Sequence, residues 1–420
     1  MNAKASFRTF SHFERLSVRL DLYGRTRDVG TLAWSRDERR AYFEYHRDFI
    51  ADPLPLSPIE LEVSAGAKAA PYVPFEGLHG LFNDSLPDGW GRLLLDRRLQ
   101  KENYDHLGLN PLDRLAFVGR TGMAALRYIP EKPFDLPKDE EIDLDRLASQ
   151  AEQVQSGIDS ADVDRLLQLQ GGSGGARPKV MIGLNPKTDR VVADDGSGLR
   201  KEFESWIVKF KSSHDTAQIG AEEYAYSLMA KDAGVEMPST RLMKTSKGSY
   251  FAVRRFDRTE KGSAHVQTVS GLLHVDHRAP QIDYNDLLKL TRILTRDERH
   301  VRQMFRRMVF NVLSRNRDDH SKNHAFRMSS DGTWHPTPAY DLTLSDGPAG
   351  EHSLAVAGEG RNPSRKHIMT VAKQASIPDG EADAIFEQVQ SAVSRWPDYA
   401  KAAGLSEGRA SEIDRTLKLS

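Results

Sequence analysis

Apolar and polar residues alternate with a period of two along the first part of this chain. Ser17-Val-Arg-Leu-Asp-Leu-Tyr-Gly24, Gly30-Thr-Leu-Ala-Trp34 and Ala41-Tyr-Phe-Glu-Tyr45 follow one another around turn residues, and the pattern predicts short strands in a meander. After the proline-rich run Asp52-Pro-Leu-Pro-Leu-Ser-Pro58 the texture changes. Ser85-Leu-Pro-Asp-Gly-Trp-Gly-Arg92 followed by Leu-Leu-Leu-Asp-Arg-Arg-Leu reads as a turn feeding a helix, with mixed helix and loop continuing to Pro130. Residues 131–170, rich in acids and amides, read as solvated helix with a linker and place a domain boundary between 130 and 165. A glycine cluster at 171–175 comes next, then the strand-like runs Val180-Met-Ile-Gly183 and Ser205-Trp-Ile-Val-Lys-Phe210. An amphipathic helix at 220–233 and a strand, Tyr250-Phe-Ala-Val-Arg254, follow. From residue 283 the spacing is helical, as in Val301, Met304, Phe305, Met308, Val309 and Val312. A β-rich part preceding a helical part predicts an α+β protein of two packed lobes rather than alternating βαβ units.

Composition narrows the chemistry. The 420 residues suffice for two or three domains at about 150 residues each, with cores that need no staple. With no cysteine, a disulfide framework, a thiolate nucleophile, a Cys-ligated zinc and an iron–sulfur cluster are all excluded. Lys+Arg 59 against Asp+Glu 60 argues against binding nucleic acid by bulk charge, since that requires a basic surplus. Met1 to Leu20 is broken every few residues by charged side chains, and no apolar run reaches membrane-spanning length. The expectation is a cytoplasmic protein.

The most informative segment is Asn316-Arg-Asp-Asp-His-Ser-Lys-Asn323. Four residues separate Asp318 from Asn323, the spacing of a protein-kinase catalytic loop, where the Asp accepts the substrate hydroxyl proton and the Asn holds magnesium. Asp341, in Ala339-Tyr-Asp-Leu342, is the natural second metal ligand. Phosphoryl transfer asks for such residues because its loose, highly charged transition state is stabilised by positioning and charge neutralisation. Lys209, flanked by apolar residues in Trp206-Ile-Val-Lys-Phe210, is the candidate phosphate cation, and Glu222 or Glu223 at the start of the next helix could pair with it. Gly171-Gly-Ser-Gly-Gly-Ala-Arg-Pro-Lys179 would let backbone N–H groups approach phosphate. It fits neither G-x-x-x-x-G-K-[ST] nor G-x-G-x-x-G. Glycine loop, strand Lys, helix Glu, Asp-x-x-x-x-Asn and Asp occur in kinase order, and that order carries more weight than any one piece.

Three other readings compete. His320 and His324, at i, i+4 spacing, could ligate zinc on a helix face, although Ser321 replaces the Glu of a zinc-protease signature. A kinase-like enzyme could act on a lipid or small molecule instead of a protein. The arginine-rich stretch 292–317 could serve a catalytically silent DNA-complex-forming protein, or simply be the solvated face of a packed helix.

At residues 316–323, at Pro338-Ala-Tyr-Asp-Leu342 and at Gly175-Ala-Arg-Pro-Lys179 the chain resembles the HipA family of serine/threonine kinases, toxins of bacterial type II toxin–antitoxin pairs. Leu86-Pro-Asp-Gly-Trp-Gly-Arg92 and Gly119-Arg-Thr-Gly-Met-Ala-Ala125 look like that family's N-terminal motifs, so the resemblance spans nearly the whole chain. It implies a two-lobed protein-kinase-like fold, divided as an N-terminal subdomain at 1–130, a lobe with the Gly-rich loop at 131–258 and a helical lobe with the catalytic loop at 259–420. It further implies ATP with Mg2+ as donor and a protein hydroxyl as acceptor, for instance on an aminoacyl-tRNA synthetase. Neutralisation by a HipB-like helix-turn-helix antitoxin, through which the protein reaches DNA, belongs to the same expectation. By position, Asp318 matches the catalytic Asp, with His320 and Lys322 in the catalytic loop, and Asn323 and Asp341 match the metal pair. Lys209, Gly174, Gly175, Lys179, Glu223, Arg254 and Phe256 fall at nucleotide-binding positions. One departure concerns the family's autophosphorylated serine, which lies three residues before the last glycine of the loop. Here that place is Gly172, and Ser173, one residue out of register, is the remaining candidate.

Overall fold

The structure, a computed structural model, describes residues 8, 10–105, 108–132, 141–158, 162–194, 196 and 198–418. Part of the acidic run at 138–145 lies outside these residues. The chain forms two compact units: one is the chain up to Asp215 with Thr245–Gly248 and Asp257–His265, the other Thr216–Lys244, Ser249–Phe256 and the chain from Val266 onward.

In the first unit the strands Arg15–Leu22, Arg25–Ser35 and Arg40–Tyr45 form the expected antiparallel meander, flanked by Lys68–Ala69 on one side and Leu126–Ile129 on the other. The period-two pattern explains the orientation, because Leu16, Val18, Leu20 and Leu22 all turn into the core while their neighbours face outward. At Gly30 a side chain is impossible: a Cβ there would stand 2.6 Å from the Phe43 ring. Phe43, Phe82 and Tyr128 are fully buried beneath this sheet, with ring centroids 4.8 and 6.4 Å apart in sequence, and the Tyr128 hydroxyl donates to Ser85 at 2.7 Å. Further along, strand Lys179–Leu184 is buried at every position because it lies between Val191–Ala193 and Glu204–Lys209. Helix Val163–Gln170 packs on it, and here the solvated reading of 131–170 fails: six of its eight residues are buried, Gln168 and Gln170 among them. Gln170 is inside because its amide bonds to the glycine cluster that follows.

The second unit is mainly helical, as the spacing predicts. Helix Ile219–Asp232 precedes the hairpin Thr240–Lys244 and Ser249–Arg254. Helices Tyr284–Thr295 and Glu298–Leu313 begin at capping aspartates, Asp283 and Asp297, whose side chains accept the backbone N–H of Asp286 and Arg299. Val301, Met304, Phe305, Met308, Val309 and Val312 form the buried stripe of the second of these. A short antiparallel pair, Ala325–Met328 with Trp334–Pro336, follows the catalytic loop, and helices Arg365–Gln374, Asp379–Ser394, Trp396–Ala403 and Glu407–Leu417 complete the unit.

Candidate active site

Helix Glu298–Leu313 delivers the catalytic loop. Its Ser314 cap donates its N–H to Phe310, Arg315 takes a left-handed conformation (φ 52°), and the chain turns into residues 316–323. Asn316 is buried and its side-chain amide donates to Asn311 at 3.0 Å, Asn311 donates to the Tyr284 hydroxyl at 3.0 Å, and Tyr284 donates to Asp319 at 2.6 Å. Burial and the adjacent Asp319 carboxylate push the Tyr284 phenol well up, so it stays a donor. Asp318, by contrast, has a side chain 57% exposed, with His320 Nε2 at 3.7 Å. Asn323 donates its Nδ2 to the Asp318 carbonyl at 2.6 Å, which leaves its amide oxygen, a hard donor, to face a cation. The intervening Ser321–Asn323 is a single 3-10 turn.

Asp341 is tied to this loop through its neighbour. Tyr340 donates its hydroxyl to the Lys322 carbonyl at 2.6 Å and its ring lies 5.6 Å from that of Phe256. Asp341 itself has φ 53°, a left-handed conformation that Asp tolerates better than most residues and that clusters at functional sites. One Asn and one Asp supply oxygen donors of the kind Mg2+ takes together with water and phosphate oxygens, so the residues fit that ion. Arg254 is exposed at the end of its strand. On helix Ile219–Asp232, Glu222 is engaged by Arg409 through two bonds of 2.9 and 2.8 Å and by Thr216, so of the two adjacent acids Glu223, also buried, remains as the nucleotide-site candidate.

In the first unit the glycine loop is built onto the turn at 86–92. Gly171, Gly172 and Gly175 have φ of 55°, 71° and 95°, which only glycine adopts freely. Gly172 donates its N–H to Gln170 Oε1 at 2.9 Å, Gly175 donates its N–H to the Asp88 carboxylate, and Trp90 donates its N–H to the Gly175 carbonyl at 3.1 Å. A Cβ at Gly91 would collide with the Gln170 amide. Two of the loop's amides are therefore taken by side-chain oxygens, one of them a carboxylate placed where an anionic ligand's oxygen would otherwise sit. Ser173 is 3% exposed, and its Oγ donates to the Gln170 carbonyl at 2.9 Å. Lys179 reaches the Gly174 carbonyl, and it is the direct cross-strand partner of Lys209. Two like charges opposed in a sheet cost stability unless an anion offsets them.

Residues 171–396 match the HipA-like C-terminal domain and residues 20–129 the HipA N-terminal domain. This chain belongs to the HipA family. The HipA-family chain is 26% identical over 349 residues to the putative kinase Y4dM of Sinorhizobium fredii, a match covering 78% of this chain and 76% of that protein. Its fold resembles that of HipA in the complex of Shewanella oneidensis HipA, HipB and operator DNA, with a TM-score of 0.68, 17% identity and coverage of 96% and 95% of the two chains. The fold is thus α+β, in two units, of the kind seen in HipA.

The second unit of this HipA-family chain holds Asp318, His320, Lys322, Asn323, Asp341, Glu223, Arg254 and Phe256, and the first holds Ser173, Gly174, Gly175, Lys179 and Lys209. The zinc reading loses its geometry, since His320 and His324 flank a 3-10 turn in extended conformations and share no helix face. Burial, with Arg307 and His320 nearby, pushes the His324 imidazole well down and keeps it neutral in the core. The arginines of 292–317 are largely committed within the chain: Arg292 to Glu298, Arg299 to Asp297, Arg302 to Glu381, and Arg307 to the Thr337 carbonyl. Sequence reasoning passed over Asp319, His352, Tyr284 and Arg409, whose partners are remote in the chain. The paired Asp318-Asp319 was a signal, though it reads equally well as an Asx turn.

Proposed function

We propose that this chain is an ATP- and Mg2+-dependent serine/threonine protein kinase acting as a HipA-type toxin. The observation that carries the reading is the loop at 316–323: an exposed Asp318 between anchored neighbours, with Asn323 bonded to its carbonyl and Asp341 joined to the same loop through Tyr340. Asp318 accepts the proton of the acceptor hydroxyl as the phosphoryl group transfers, with His320 and Lys322 flanking it. Asn323 and Asp341 would hold Mg2+, which when bound neutralises charge on the phosphates. Lys209, Lys179, Gly174 and Gly175 of the first unit are assigned to phosphate, and Glu223, Arg254 and Phe256 of the second to nucleotide binding.

The acceptor is a component of translation such as an aminoacyl-tRNA synthetase, the setting is the cytoplasm, and the inhibitor is a HipB-like antitoxin that carries the kinase to operator DNA. The Shewanella relative, held in a complex with HipB and operator DNA, supports that partner. The functional division is 1–130, 131–258 and 259–420. Ser173 remains the autophosphorylation candidate, and its burial means that the loop leaves Gln170 before the hydroxyl reacts. The test is Asp318→Asn, assayed with radiolabelled ATP in cell extract. Loss of about 10²–10⁴-fold in transfer to protein is expected for a lost general base. Near-normal labelling by the variant, or label in lipid or metabolite instead of protein, would overturn the reading.

A further inference from the structure

Asp318 lies between two residues whose side chains turn away from it into the same stretch of chain. Arg317 donates to the carbonyls of Gly350 and Arg361 at 2.7 and 2.8 Å. Asp319 is fully buried, with side-chain exposure of 0%. Its Oδ2 accepts from the Tyr284 hydroxyl at 2.6 Å and from His352 Nδ1 at 2.9 Å, and its Oδ1 from the backbone N–H of Ser353 at 2.8 Å and of Leu354 at 3.4 Å. The His352 side chain is 2% exposed. A buried carboxylate is costly unless its lone pairs are filled, and here four donors from two separate parts of the chain fill them. Three of the four come from residues 352–354, downstream of Asp341.

We infer that Asp319 and His352 are positioning residues for phosphoryl transfer: together they latch residues 352–354 to the catalytic loop and so, with Arg317, fix the backbone from which Asp318 projects. The inference rests on the phosphotransferase reading above. Asp318 has an exposed side chain with His320 Nε2 3.7 Å away, so its aim depends largely on its main chain, which is held by Asn323 at its own carbonyl and through Arg317 and Asp319 on either side. Displacements of about 1 Å at a reacting group cost on the order of 10²-fold in rate.

The test compares wild type with Asp319→Asn, His352→Ala and His352→Asn as full-length chains, with radiolabelled Mg·ATP as donor and the chain itself plus cell extract as acceptor. Asparagine at 352 keeps an N–H donor where Nδ1 stands. A loss of about 10²-fold in turnover is expected for His352→Ala and Asp319→Asn, with Mg·ATP affinity unchanged and activity largely restored in His352→Asn. Hydrogen exchange at the Ser353 and Leu354 amides, read independently of activity, should quicken in His352→Ala and not in His352→Asn. Wild-type turnover in both His352→Ala and Asp319→Asn, or loss of activity in His352→Asn equal to that in His352→Ala, would overturn the inference, as would unchanged exchange at the two amides in His352→Ala. A wild-type chain that neither binds Mg·ATP nor transfers label, while the two amides respond as stated, would refute the phosphotransferase reading itself and the catalytic role of the latch with it.

Discussion

The ion pair Arg409–Glu222 joins helix Glu407–Leu417 to helix Ile219–Asp232, and its removal has a calculable cost. Glu222 is essentially buried, with side-chain exposure of 2%, whereas Arg409 is 19% exposed and also bonds Glu412 at 2.8 Å. The contact is bidentate, and Glu222 holds the Arg409 guanidinium well above its usual range. Substituting Arg409→Ala strands a buried carboxylate with Thr216 as its remaining side-chain donor. Breaking a buried pair from one side costs about 3–5 kcal/mol, and the partial exposure of Arg409 argues for about 3. Since 1 kcal/mol moves the midpoint of a unit this size by about 2–4 °C, Arg409→Ala should lower Tm by about 6–12 °C. Glu222→Gln should cost less, about 1 kcal/mol, because Arg409 keeps Glu412 and reaches water. The double variant should then be more stable than Arg409→Ala alone, since it buries no charge. Calorimetry of the four proteins closes this cycle. A drop below about 2 °C for Arg409→Ala, or a double variant less stable than either single one, would refute the argument.

Two further outcomes follow from burial and charge. Burial pushes His265 down to about 4, and its ring bonds the Leu56 carbonyl at 2.9 Å. Its folded pKa lies below the unfolded value of about 6.5, so the stability it contributes is present above that value and is lost as pH falls from 6.5 through 4, by about 3 kcal/mol in all. Urea titrations from pH 7 to pH 4 should show this slope in wild type and a shallower one in His265→Gln; parallel slopes would contradict it. Because the Asp88 carboxylate holds the Gly175 amide, Asp88→Asn, which keeps an oxygen there but removes the charge, should lower the KM for ATP about fivefold, the equivalent of about 1 kcal/mol. An unchanged or higher KM would refute competition between Asp88 and phosphate.

Read by itself, the sequence determined what local periodicity and short motifs can encode. The meander at 15–45, the buried stripe of helix Glu298–Leu313, and the spacing of Asp318, Asn323 and Asp341 all depend on residues close in the chain, where side-chain direction follows from backbone period. The family membership rests on sequence matches over residues 20–129 and 171–396. Tertiary structure decided which polar groups are partners. Asp319 and His352 are 33 residues apart, Glu222 and Arg409 187, and Asp88 and Gly175 87. No spacing rule links such pairs: the sequence offered Glu222 and Gly175 as nucleotide-site candidates and Asp88 as part of a turn, each without its partner. They were legible only once burial was known, because water satisfies a polar group anywhere on the surface, whereas a group withdrawn from water must find its partner in the fold.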